Sequence, residues 1–309
     1  MQTILGANGV IGIELAKSLL TYTDRIRLVS RNPKKVNPSD QIFSADITSS
    51  EQTMNAVEGS QIVYLTVGLP YKIEIWQKIW PLIMTNVINA CKTYSAKLVF
   101  FDNVYMYGKV EGWMTEETPV NPCSAKGEVR AKIAEQLLMA TRNTGINALI
   151  ARSADFYGPG AVKTMVHPMV FEKLKKGKKA GWALNDKVKH SLTYTPDAGR
   201  ATALLGNSPE AYNQVWHLPT DKNALTGEQF IKLVADKYRV EPNYSVLSKS
   251  MFKIGGLFNS MVNESIEMLY QSENEYLFDS SKFAKKYFKA TPYEYGIEEI
   301  IELQGGGGS

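Results

Sequence analysis

The sequence predicts an α/β fold: a doubly wound parallel sheet with a smaller mixed α/β lobe on its C-terminal side. Three observations predict it. Short apolar runs alternate with amphipathic helical stretches, the rhythm of strand–helix–strand units. The runs are almost continuously apolar, as parallel strands covered on both faces must be. The first strand–helix junction carries three glycines, Gly6, Gly9 and Gly12.

In chain order, Thr3-Ile4-Leu5 reads as the first strand, and 13–20 continues as a helix with apolar residues at helical spacing. A strand, a glycine turn and a helix make a site for a diphosphate. Gly6 lets the chain turn sharply, Gly9 lets backbone approach the phosphates, and Gly12 lets the helix lie close to the strand. With Asn8, Val10 and Ile11 they form a cradle of backbone N–H groups at a helix N-terminus. The second strand, 25–30, ends before Pro33, which cannot continue a ladder. A short third strand covers 41–44, a helix 49–57, and an almost wholly apolar fourth strand 62–68. The spacing of Trp76, Trp80, Ile83, Val87 and Ala90 predicts a long helix over 73–94 with these residues in the core. A fifth strand covers 97–102, a second long helix 124–144 capped by Gly145, and a sixth strand 147–152. Beyond Gly160 the rhythm becomes mixed, with helices at 165–175, 197–205 and 227–238 and strands at 192–194, 215–218 and 244–247. The predicted domains are therefore 1–160, to which a segment near 188–206 returns, and 161–304. The apolar segment 251–258 is expected in the core, with a partner-binding or cleft-covering role as the alternative.

Composition narrows the function. The chain has 309 residues and a formal net charge of +4, with its basic residues dispersed, which argues against nucleic-acid binding. Two cysteines, Cys91 and Cys123, fit free thiols in a reducing compartment, and no Cys/His spacing suggests a metal. With no apolar run near the length of a membrane span, and no leader before the first strand, a cytoplasmic protein is expected. Gly305-Gly306-Gly307-Gly308-Ser309 reads as an added linker, and a few residues before Met1 are expected to be missing.

Further landmarks follow the glycine turn in order: Asp46-Ile47 after the third strand, Thr66-Val67-Gly68 after the fourth, and Asn86 in the long helix. Val104-Tyr105-Met106-Tyr107-Gly108, then Arg152-Ser153-Ala154-Asp155-Phe156-Tyr157-Gly158-Pro159-Gly160, and then Thr193-Tyr194-Thr195-Pro196-Asp197 complete the set. Together they resemble the extended branch of the short-chain dehydrogenase/reductase superfamily, of the epimerase/dehydratase type. The resemblance implies a Rossmann-type dinucleotide domain with Asp46 and Ile47 beside the adenine. It implies Thr66, Val67 and Gly68 along the cofactor, and Tyr157 by the nicotinamide. It also implies a small-molecule substrate near Tyr107, His190 and Tyr194, and pairing of two copies through the helices 73–94 and 124–144.

The chain departs from that pattern. The superfamily's Tyr-x-x-x-Lys positions hold Gly127 and Ala131 in one register and Glu128 and Lys132 in the next. Its strand-five Ser/Thr is replaced by Asp102-Asn103, and Asp155 stands where it has an Asn. Lys126, Arg130, Tyr105 and Asn103 are the candidates left to act on a carbonyl oxygen. Lys126 and Arg130 share a helix face, read either as facing the cleft or as a solvated pair. Tyr105-x-x-x-Lys109 lies in a loop and is read as coincidence. His217 is expected to be a satisfied structural histidine. Ser30-Arg31, with Lys34 and Lys35 behind, replaces the acid that would hold an NAD ribose, which favours NADP over NAD. Two functions remain open. One is an NADP-dependent oxidoreductase or epimerase/dehydratase acting on a small carbonyl or sugar-type substrate. The other is a dinucleotide-binding sensor resembling the NmrA-like proteins.

Overall fold

The computed structural model describes residues 1–305; 306–309, the rest of the expected linker, lie outside the described residues. The chain forms two compact units. Unit 1 comprises Met1–Gly108, Val120–Ser153 and Pro196–Leu218. Unit 2 comprises Lys109–Pro119, Ala154–Thr195 and the chain from Pro219 onward.

Unit 1 is built on seven strands: β1 (Gln2–Leu5), β2 (Ile26–Ser30), β3 (Gln41–Ser44), β4 (Ile62–Leu65), β5 (Lys97–Asp102), β6 (Ala148–Arg152) and β7 (Val215–His217). They lie in the order β7-β6-β5-β4-β1-β2-β3, and every neighbouring pair is parallel. This is the α/β architecture predicted. Parallel neighbours put the C-terminal ends of all seven strands on one edge, where α/β sheets bind ligands.

The helices are α1 (Val10–Leu19), α2 (Ser50–Val57), α3 (Ile73–Thr93), α4 (Ala125–Thr144) and α5 (Thr195–Gly206). Side chains alternate across β4: Val63 and Leu65 join the cluster formed with α2, α3 and α4, whereas Tyr64 points the other way. On that second face Tyr64 Oη donates to Gln2 Oε1 at 2.8 Å and accepts from Asn207 Nδ2 at 3.3 Å. Trp76, Trp80, Ile83, Val87 and Ala90 all fall in the first cluster, as their spacing predicts.

Unit 2 carries short paired strands and an aromatic core of Tyr157, Phe171, Trp182, Tyr194, Phe230 and Tyr293. The segment expected in the core is the exception. It forms the helix Lys249–Phe258, which buries none of its residues; Leu257 is 81% and Phe258 86% exposed. Its spacing does make a helix, but the apolar side chains face outward. Gly256 instead lets the helix lie close to Asn263, where a Cβ would meet Asn263 Cα at 3.1 Å. Among the described residues no helix is long and apolar enough to cross a membrane, and no group of three or more side chains could hold a metal.

Gly206 tests the second-face packing. A Cβ there would lie 2.3 Å from the Tyr64 hydroxyl. Gly206→Ala should lower stability by about 1–3 kcal/mol in thermal or urea denaturation, as overpacking does.

Candidate cofactor and substrate sites

The glycine turn separates two kinds of glycine. Gly6 has φ of 95°, and a Cβ there would lie 2.7 Å from the Val67 backbone. A Cβ on Gly12 would lie 2.8 Å from Ala7 Cα and the Gly6 carbonyl oxygen. The fold itself requires both glycines. Gly9 is different: its φ is −74°, and a Cβ would meet nothing nearer than the Gly6 oxygen at 3.4 Å. Gly68 is likewise open, with nothing within 4 Å. Internal packing explains neither, so both leave room for something outside the chain. Gly9 also caps α1 without any side-chain bond, whereas Ser49 and Ser124 cap α2 and α4. The first turn of α1 has no acid, so the N–H groups of Val10, Ile11 and Gly12 present an uncompensated positive end suited to an anion. Asn8 braces the turn: its Nδ2 donates to the Asn32 oxygen at 2.7 Å.

Three further strand ends lie on the same edge. At the end of β2, Ser30 Oγ is buried with no hydrogen-bond partner among the described residues. Next to it a shallow pocket is lined by Arg31, Asn32, Pro33, Lys34, Ile42 and Ser44. After β3, Asp46 accepts from Thr48 N at 3.0 Å and Thr48 Oγ at 2.8 Å. These bonds hold its carboxyl below the usual range, outweighing a small desolvation effect, and nearby Arg31 adds to the lowering. Buried Asn86 fixes this loop by donating to the Ile47 and Thr48 oxygens at 3.1 and 3.0 Å. After β4, Thr66 Oγ donates to the Leu5 oxygen at 3.2 Å, setting the path of Val67 and Gly68. A dinucleotide fits these residues: two open glycines, an uncapped helix, an orphaned hydroxyl and a guanidinium.

The ends of β5, β6 and β7 are closed by their own contacts. Asp102 is buried and accepts from Arg130 Nε at 2.8 Å, from Arg130 Nη2, and from Arg152 Nε at 3.3 Å. Arg152 Nη1 donates to Tyr107 Oη at 3.0 Å, and Tyr107 Oη lies 2.8 Å from His217 Nε2. The Arg130 guanidinium also sits over Trp80 and Phe100, at 4.5 and 5.0 Å. Lys126 is wholly buried, its ammonium 4.6 Å from the Tyr71 ring. Neither cation is solvated; both rest on the aromatic face of α3 and its approach. No local pattern announces this cluster, because Asp102, Arg130 and Arg152 come from three elements 28 and 50 residues apart. Tyr105 stacks on Trp76 at 6.3 Å and opens a 3-10 turn, Tyr105–Tyr107; Asn103 Oδ1 accepts its N–H at 3.2 Å.

In unit 2, Tyr157 is buried against Tyr194, Tyr293 and Phe230, with centroids 5.2, 5.3 and 6.2 Å away. Tyr194 Oη donates to Glu299 Oε2 at 2.6 Å. His190 is buried, with Nε2 3.0 Å from Asp155 Oδ2.

The two kinds of glycine should respond differently to substitution. Gly9→Ala should melt close to wild type but bind a dinucleotide at least tenfold more weakly, whereas Gly12→Ala should lower the melting temperature. For Asp46, a depressed folded-state pKa adds stability that is complete above the unfolded value of about 3.9 and fades as pH falls through the folded value. The stability gap between wild type and Asp46→Asn should therefore be full near pH 7 and close in strong acid, in denaturation measured across that range.

No curated protein sequence matches the chain. Solved structures do. UDP-glucose 4-epimerase from Thermus thermophilus, solved with NAD, is 16% identical over 99% of this chain and 100% of its own, with a TM-score of 0.81. UDP-glucuronic acid 4-epimerase from Bacillus cereus, solved with UDP-glucuronic acid and NAD, is 17% identical over 98% and 100%, with a TM-score of 0.80. dTDP-glucose 4,6-dehydratase from Streptomyces venezuelae, solved with NAD and TYD, is 14% identical over 99% and 98%, with a TM-score of 0.80. At such identities the likeness is one of fold. The sequence model of the NAD dependent epimerase/dehydratase family matches residues 3–216, more than half of the chain. The chain belongs to the NAD dependent epimerase/dehydratase family.

Proposed function

We propose that this chain is an NADP-dependent enzyme of the epimerase/dehydratase type, acting by hydride transfer on a small carbonyl or sugar-type substrate. The observation that carries the reading is the pair of glycines that packing does not require, Gly9 after β1 and Gly68 after β4, on the same edge as Ser30 at the end of β2 and Asp46 after β3. When bound, the nicotinamide would supply or take up the hydride. Gly6 to Gly12 and the amides of α1 would hold the diphosphate, and Asp46 and Ile47 would flank the adenosine. Thr66 to Gly68 would line the way to the nicotinamide. Ser30, Arg31 and Lys34 would take a 2′-phosphate; no acid stands at the end of β2 to repel it. The related structures above carry NAD, so the preference for NADP rests on these three side chains alone.

Unit 1 is then the cofactor domain and unit 2 the substrate domain. Arg130 is committed to Asp102, which leaves Lys126, Tyr105 and Asn103 as the polar groups at the end of β5 and the start of α4. Pairing of two copies through α3 and α4, in a cytoplasmic setting, completes the reading.

A second reading, a dinucleotide sensor without turnover, is favoured by one feature. A Cβ on Gly127 would lie 2.6 Å from the Tyr105 carbonyl oxygen, so that register has no room for the missing tyrosine.

Quenching of the chain's five tryptophans during titration with NADPH and then NADH tests the cofactor. NADPH should bind tighter, and Arg31→Asp should weaken NADPH far more than NADH; equal losses would remove the NADP assignment. If neither binds, the whole reading falls. NADPH oxidation across a panel of carbonyl substrates then separates enzyme from sensor.

A further inference from the structure

Unit 2 carries an exposed apolar ridge that the cofactor and substrate readings do not use. Two short helices build it, Lys249–Phe258 and Ser260–Ser265. Asn259 ends the first and caps the second. Its N–H donates to the Gly255 oxygen at 3.0 Å, and its Oδ1 accepts from Met261 N and Val262 N at 2.9 and 3.3 Å. The turn between the helices is therefore sharp and held by its own hydrogen bonds, and Gly256, with no Cβ, keeps the two helices close at Asn263.

This turn presents an apolar outer face. Met251, Ile254 and Phe258 recur at helical spacing, Leu257 lies beside them, and Met261 follows on the second helix. All five are more than half exposed, Leu257 and Phe258 at the turn most of all. Single exposed apolar residues are ordinary, but a shared face of them marks a contact with protein or membrane.

Charge decides between the two. Asp and Glu number 31 in the 309 residues, yet none occurs between Glu241 and Glu264, where the only charged residues are Lys249 and Lys253. Lys249 is paired with Glu273 at 3.1 Å. Lys253 stands four residues before Leu257, at the border of the apolar face, and pairs with no described residue. A lysine so placed lays its stem along the apolar surface and keeps its ammonium at the level of anionic head groups. A second copy would match the ridge poorly. A symmetric contact sets the same patch against itself, which brings two copies of Lys253 together with no acid in the stretch to meet them. A protruding tip also suits fluid lipid, which needs no complementary shape.

We propose that this ridge docks the protein on a membrane surface bearing anionic lipids, with Leu257 and Phe258 entering the apolar boundary and Lys253 at the head groups. A helix of ten residues is far too short to span a bilayer and lies along the interface instead. Such attachment is independent of the cofactor and of turnover.

Flotation of the full-length protein tests it, with vesicles of phosphatidylcholine alone and of equal parts phosphatidylcholine and phosphatidylserine. The protein should float with the anionic vesicles, less with the neutral ones, and less again as salt is raised. Leu257→Ser combined with Phe258→Ser should weaken binding to the anionic vesicles about tenfold or more. Lys253→Gln should weaken it about fivefold. The substituted side chains are exposed, so both variants should melt like the wild type, which a melting curve checks; Leu257→Asn stands in if the double variant does not fold. Failure to float with the anionic vesicles overturns the proposal, as does equal binding to both kinds or undiminished binding by either folded variant. Sedimentation of the protein alone covers the other occupant: self-association that the double variant loses assigns the ridge to a second copy and overturns the proposal.

Discussion

The buried carboxylate of Asp102 is the constraint on which the rest of unit 1 depends. It stands at the end of β5 with two guanidinium groups on its oxygens. Burying one carboxylate without partners would be prohibitive, and even a paired one gives little net stability. What it supplies is geometry. Arg130 ties α4 to β5 and rests against Trp80 and Phe100. Arg152 ties β6 to the turn that bears Tyr107, and Tyr107 reaches His217 at the end of β7. Five elements and an aromatic face are thus linked through a single charged group.

That convergence divides the strand-end edge into two halves of opposite character. Around β5 to β7 the polar side chains named above are satisfied by one another. Around β1 to β4 one is not: Ser30 Oγ lacks a partner; there too α1 has no side-chain cap, Gly68 faces open space and Gly9 has room for a Cβ in ordinary contact. A polar group left buried without a partner is costly, so Ser30 Oγ beside the uncapped helix marks a place where a ligand would repay the cost. The two halves also differ in what holds them. The closed half is locked by charge, whereas the open half is shaped by backbone, with Asn86 and Asn8 holding its loops.

Much of this was legible in the sequence, for identifiable reasons. The central strands β1 and β4 are buried throughout, so each reads as an unbroken apolar run, and the observed ends of β2, β3 and β5 fall within a residue of the expected ones. The stripe along α3 was legible because a helix buried along one side must repeat every three to four residues. Unit 2 was harder. Its strands are two to four residues long and draw their partners from distant segments, as Leu277–Phe278 does with Trp113–Met114. Periodicity cannot register in so few residues. The segment 251–258 misled because spacing reports a helix's apolar side but not whether anything covers it. The charged cluster was invisible for a different reason: its members share no local pattern, only a common destination. Tyr157 and Tyr194 carried motif resemblances, yet both lie in the aromatic core of unit 2.

The route of the chain through the sheet has a consequence for how the protein is made. The sheet needs β7, but β7 is reached only after the chain has left unit 1 at Ser153 and returned at Pro196. During synthesis β6 therefore emerges as an open edge and stays so while more than forty residues of the other unit are added. Ile150 N must wait for the oxygen of Gln214, and Asn213 N for that of Ala148. Unpaired, apolar edge strands invite association between nascent chains. The growing polypeptide thus passes through an interval in which the outer edge of β6 has no partner strand.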